Sequence, residues 1–139
     1  MYLVDTNIWL ERLLDQERSA EVGQFLAQTP TGQLMMSDFT LHSIGVILDR
    51  LGKHHVLLQF VDDVFIEGGV TLASVQPEEM HHLVGAMYQF GLDFDDAYQY
   101  VAAEQADAAI ISFDSDLDRT DRKRQTPEEI LREENVAES

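Results

Sequence analysis

The sequence predicts an α/β domain: a mostly parallel sheet with helices on both faces. Three observations lead there. Short apolar or β-branched runs at 2–4, 34–36, 70–75 and 108–113 read as strands, and stretches with helical apolar spacing alternate with them. At 139 residues and 45% hydrophobic content, the chain has enough apolar material for one ordinary core. Two of the runs end in an aspartate, Asp5 and Asp114. Ligands of a parallel sheet bind at the carboxyl ends of its strands.

In chain order, Tyr2–Val4 is the first strand, and a helix starts at Ile8–Leu14. A second helix is expected over Ser19–Gln28, followed by a strand at Leu34–Met36. Ser37 or Asp38 can cap a helix whose apolar positions Leu41, Ile44, Ile47, Leu48 and Leu51 share one face, with Gly52 as its stop. A further helix is expected over Val56–Ile66, ending at Gly68-Gly69. Val70–Val75 is β-rich. Pro77 opens a helix with Met80, Leu83, Val84, Met87 and Phe90 as its stripe, and Gly91 ends it. Asp93 opens another, to about Asp107, and Ala108–Phe113 is the strand that leads to Asp114. Thr126-Pro-Glu-Glu has the cap, proline and glutamate of a last short helix. Residues 1–134 read as one domain and 135–139 as a frayed tail.

Composition narrows the function. The net charge is 9 − 26 = −17, which repels nucleic acid at long range and suits a basic partner. Arg119, Arg122, Lys123 and Arg124 form the one dense basic cluster, either a solvated turn or a weak hold on a polyanion. No cysteine is present, which excludes disulfides, thiolate metal sites and a cysteine nucleophile. No apolar run approaches the roughly 20 residues of a membrane span, and MYLVDTNIW does not read as a signal peptide, so a cytoplasmic location without membrane contact is expected.

Parallel strands bring Asp5 and Asp114 to one edge of the sheet, and Asp96 lies in the first turn of the helix feeding the later strand. Each has an ordinary alternative: a loop residue for Asp5, a helix first-turn acid for Asp96, a turn or cap for Asp114. Together they repel, by about 4 kcal/mol for unit charges 4 Å apart at an effective dielectric near 20. No lysine or arginine lies beside them in sequence, so Mg²⁺ or Mn²⁺ is the expected counter-charge. A phosphoaspartate receiver lacks its lysine here, a haloacid-type phosphatase lacks its second acid because Asn7 stands there, and no P-loop is present.

The opening VDTNIWL, the block DDAYQYVAAEQADAAIISFDSDL and the closing TPEEIL resemble, in order and spacing, the PIN domain of VapC-type toxins. The resemblance covers nearly the whole chain and implies a three-layer PIN-like fold. It matches Asp5, Asp96 and Asp114 to metal-site acids, Asp116 to an accessory acid, and Thr6 and Asn7 to positions that help hold the first acid and a metal water. It departs at one place: in TLHSIGVIL, Thr40 is present but Ser43 stands where the family usually carries a glutamate. His42 is one helical step away, about 100° around, and is a poor substitute. The resemblance implies a Mg²⁺- or Mn²⁺-dependent ribonuclease acting through Asp5, Asp96 and Asp114, the toxin of a toxin–antitoxin pair, with an RNA substrate, a basic antitoxin and a homodimeric state. Ser43 motivates the alternative, a catalytically weak module that binds RNA or a partner without cutting.

Overall fold

The computed structural model describes residues 1–138. Five strands form one sheet: β1 (Tyr2–Val4), β2 (Leu34–Ser37), β3 (Thr71–Ala73), β4 (Ala109–Ile111) and β5 (Arg124–Gln125). Their spatial order is β3-β2-β1-β4-β5, and every pairing is parallel. Tyr2 faces Leu34 on one side and Ala109 on the other, so the residues after β1 and β4 emerge together. The chain runs outward from β1 through β2 to β3, then returns to the other side of β1 for β4 and β5. The reversal opens a crevice between the ends of β1 and β4, where such sheets bind ligands.

Helices cover both faces. Leu3, Met35 and Ile110 pack with Leu83 of α5 (Met80–Phe90) and with Ala97 and Val101 of α6 (Phe94–Ala106). Their neighbours along the strands, Val4, Met36 and Ile111, pack on the other face. There they meet Ile8 and Trp9 of α1 (Thr6–Leu13), Phe25 of α2 (Ser19–Gln28), Ile44 and Leu48 of α3 (Asp38–Arg50) and Ile130 of α7 (Pro127–Glu138). The two-residue period of a strand thus splits the core into two layers around the sheet. Among the described residues, no helix is long and apolar enough to cross a membrane.

Several boundaries shift for local reasons. The helix expected over Val56–Ile66 is α4 (His54–Val61) continued by a π-helical segment, Asp62–Glu67. Gly68 closes that segment, and a Cβ there would sit 2.7 Å from the carbonyl oxygens of Asp63 and Val64. Pro77 begins a 3-10 turn (Pro77–Glu79) ahead of α5. β4 is shorter than expected because side chains replace the ladder beyond it: Phe113 N–H donates to Asn7 Oδ1 at 3.1 Å, and Asp114 N–H to Ser112 Oγ at 2.9 Å. Arg124, the last residue of the basic cluster, opens an edge strand with Gln125. α7 continues through 135–138, the stretch read as a tail.

Candidate metal centre

The strand ends place Asp5, Ser37 and Ser112 at one edge, and Gln99 of α6 binds two of them. Gln99 is 1% exposed. Its Nε2 donates to Asp5 Oδ1 at 2.8 Å and to Thr40 Oγ1 at 2.7 Å, and its Oε1 accepts from Ser37 Oγ at 2.5 Å. Asp5, 7% exposed, also accepts from its neighbour Thr6 N–H at 2.8 Å and from Ser112 Oγ at 2.7 Å. A carboxylate offers about four lone-pair sites. Two donors occupy Oδ1 and one occupies Oδ2, so one site of Oδ2 is left for a ligand. Thr6 Oγ1 lies 3.0 Å from Thr40 Oγ1, and Asn7 Nδ2 donates to Ser112 Oγ at 3.2 Å. Thr6, Asn7 and Thr40 therefore act through other side chains, fixing the ends of β1, β2 and β4 relative to one another. Charge-assisted bonds of this kind are stronger than neutral ones, and buried donors left without them are costly.

Beside this network lies a cleft of about 320 Å³ lined by Asp5, Asn7, Ser43, Asp95, Asp96 and Asp114, among others. Asp93 caps α6 by accepting from Asp96 N–H at 2.9 Å, which sets Asp96 in the first turn. Asp114 caps the 3-10 turn at Ser115–Arg119, accepting from Asp116 N–H at 2.9 Å. The capping roles open to these positions and a shared acidic site thus coexist. Oxygens of Asp96, Asp114 and Asp116 lie within 4.8 Å of one another. Asp5 is not in that tight group, although it lines the same cleft.

Electrostatics follow from this crowding. The Asp96 carboxyl is pushed up to about 7, chiefly by burial, then by the charges of Asp114, Asp93 and Asp5 and a hydrogen bond shared with Asp114. Asp95 is raised by burial and by Asp93 and Asp5. A carboxyl raised by burial and by neighbouring carboxylates is one whose charged form a cation would favour. The donor set fits one. Three carboxylate oxygens that come this close could share one hard divalent cation. An all-carboxylate set with room for water suits Mg²⁺ or Mn²⁺.

The remaining candidates separate cleanly. Ser43 lines the cleft and makes no side-chain hydrogen bond among the described residues. His42 is exposed. Three of the four basic cluster residues hold acids: Arg119 binds Asp116 at 3.0 Å, Arg122 binds Asp107 at 2.7 Å and Arg124 binds Asp118 at 3.3 Å. Lys123 is exposed, with a left-handed φ of 56°. Arg119 also donates to Gly91 O at 2.7 Å, tying the α5–α6 junction to the Asp116 turn. Sequence reasoning missed Gln99 and Ser112. Gln99 had a readable signal, because it lies three residues after Asp96 and so on a neighbouring part of the same helix face.

Comparison with known proteins bears on the family and the fold. The family model described as PIN domain matches residues 2–123. No curated protein matches the chain. Among solved structures, a toxin–antitoxin complex from Klebsiella pneumoniae is similar at 20% identity, with 91% of this chain and 98% of that chain covered and a TM-score of 0.72. FitAcB from Neisseria gonorrhoeae matches at 19% identity, covering 91% and 98%, also with a TM-score of 0.72. Mycobacterium tuberculosis VapC20, a Sarcin-Ricin loop cleaving toxin, matches at 17% identity, covering 84% and 92%, with a TM-score of 0.71.

Proposed function

The chain belongs to the PIN domain family, and we propose that it is a metal-dependent endoribonuclease, the toxin of a toxin–antitoxin pair. The observation that carries this reading is the gathering of Asp96, Asp114 and Asp116 within 4.8 Å, beside Asp5, at the crevice between β1 and β4. Asp5, Asp96 and Asp114 would be the principal ligands, with Asp116 accessory. Mg²⁺ or Mn²⁺ bound there supplies neutralisation of the carboxylates, a more acidic water and stabilisation of charge on a phosphoryl oxygen.

The protein's own residues do the rest. Gln99, Ser112 and the Thr6 amide hold the Asp5 carboxylate in one orientation, so its remaining acceptor site needs no reorganisation. The Asp96 carboxyl, raised to about 7 by burial and its acidic neighbours, would give up its proton to hold a cation. The similar structures include toxin–antitoxin complexes, which supports a basic antitoxin segment as partner of this acidic chain. Homodimerisation and a cytoplasmic location complete the proposal.

The second reading is a PIN module that binds RNA or a partner without cutting. Ser43 favours it, because a hydroxyl lining the cleft adds no charge where a carboxylate would strengthen metal binding. Pure protein incubated with RNA and Mg²⁺ or Mn²⁺, beside Asp96→Asn, decides between them. Cleavage by the wild type that the variant loses supports the nuclease. Cleavage that persists in the variant is contamination, and wild-type protein that binds RNA intact supports the second reading.

A further inference from the structure

A chain carrying −17 net charge needs local free cations to hold a polyanion. Most of its arginines are occupied. Arg119, Arg122, Arg124 and Arg132 hold acids, Arg12 binds Ser19, and Arg18 lies 4.7 Å over the Phe113 ring. Among the described residues, Arg50 is the one arginine whose guanidinium has no hydrogen bond, ion pair or ring contact. It is exposed at the last turn of α3, on a groove of about 410 Å³ lined by His42, Ser43, Val46, Ile47 and Arg50. Ser43 and Ile47 also line the acidic cleft, so the groove adjoins the cleft along α3. From Ser43 to Arg50 is about 10 Å along the helix at 1.5 Å per residue.

We infer that this α3 groove is the track of the RNA phosphodiester chain leading away from the acidic centre, with Arg50 holding a phosphate. The inference rests on the ribonuclease reading. A free guanidinium presents a planar fork that matches phosphate oxygens. The half-buried Val46 and Ile47 offer apolar surface to sugar and base. Arg50 matches a phosphate rather than the cationic side chains of a basic antitoxin segment, which favours RNA over that partner at this position. The 119–124 cluster, with its arginines paired to acids, is the weaker contact.

The test is binding of a fluorescent single-stranded RNA by anisotropy, with Ca²⁺ in place of Mg²⁺ and the RNA checked to remain intact. Arg50→Ala should weaken binding about tenfold and reduce the slope of log K against log salt by about 0.7, the loss of one phosphate contact. Arg50→Lys should keep most of the affinity, and Arg122→Ala, whose guanidinium is already paired with Asp107, should weaken it far less than Arg50→Ala does. Wild-type affinity and slope in Arg50→Ala, with cleavage still dependent on Asp96, overturns the track and leaves the nuclease reading intact. Wild-type protein that neither binds nor cuts RNA overturns both. A change in oligomeric mass on Arg50→Ala, read by light scattering, makes the groove an interface between copies and also overturns the track.

Discussion

Replacing Asp96 with asparagine should stabilise the metal-free protein. Asp96 rises from 3.8 to about 7 because it is partly buried beside Asp114, Asp93 and Asp5. A carboxyl raised on folding favours the folded state below the unfolded value, and that contribution is lost as pH climbs from about 4 through 7. The rise sets an upper bound of about 4 kcal/mol. The group is half-exposed, so solvent screening reduces this to about 1–2 kcal/mol. Losing a negative charge near the α6 N-terminus offsets about 0.5 kcal/mol. Urea unfolding at pH 8 in EDTA should therefore show Asp96→Asn about 1 kcal/mol more stable than wild type, with the gap closing towards pH 4. Adding Mg²⁺ should reverse the order, because a ligand bound only to the folded state stabilises the protein that holds it. An asparagine variant no more stable than wild type at pH 8 in EDTA would refute the reasoning.

Three other outcomes are expected. Gln99→Leu keeps the side-chain bulk but removes the donor to Asp5 and Thr40; it should cost about 2–3 kcal/mol in urea unfolding, and a cost under about 0.5 kcal/mol would show the network to be slack. Ser43→Glu places a carboxylate on the cleft lining and should tighten Mn²⁺ binding about tenfold by calorimetry, while lowering metal-free stability; an unchanged affinity would separate Ser43 from the metal site. Gly91→Ala, at a left-handed φ of 64° that ends α5, should lower stability by about 1 kcal/mol, seen as a fall of several degrees in thermal midpoint.

Much of this architecture was legible because its signals are local. The limits of α2 agree with Ser19–Gln28, Asp93 caps α6, and Gly91 ends α5 in the left-handed conformation its type permits. Asp5 and Asp114 could be placed on one edge by topology alone, since parallel strands share their carboxyl ends. What stayed hidden depends on distant partners. Gln99 matters because Asp5, Ser37 and Thr40 lie far from it in sequence, and Ser112 because β1 lies beside β4. Asp5 stands outside the tight acidic trio, its carboxylate engaged by Thr6, Gln99 and Ser112, a geometry that no strand-end pattern reveals. Charge alone left the basic cluster open as a solvated turn or a hold on a polyanion; in the fold its arginines pair with Asp107, Asp116 and Asp118.

Central to all of this is that the crevice between β1 and β4 takes a divalent cation through its aspartates. Titration of Mn²⁺ at pH 7.5, followed by the loss of free-ion electron paramagnetic resonance signal, measures it directly. Saturable binding by the wild type, weakened at least tenfold in both Asp96→Asn and Asp114→Asn with folding retained, is the predicted result. Wild-type protein that shows no saturable uptake, or variants that bind as tightly as wild type, would contradict it.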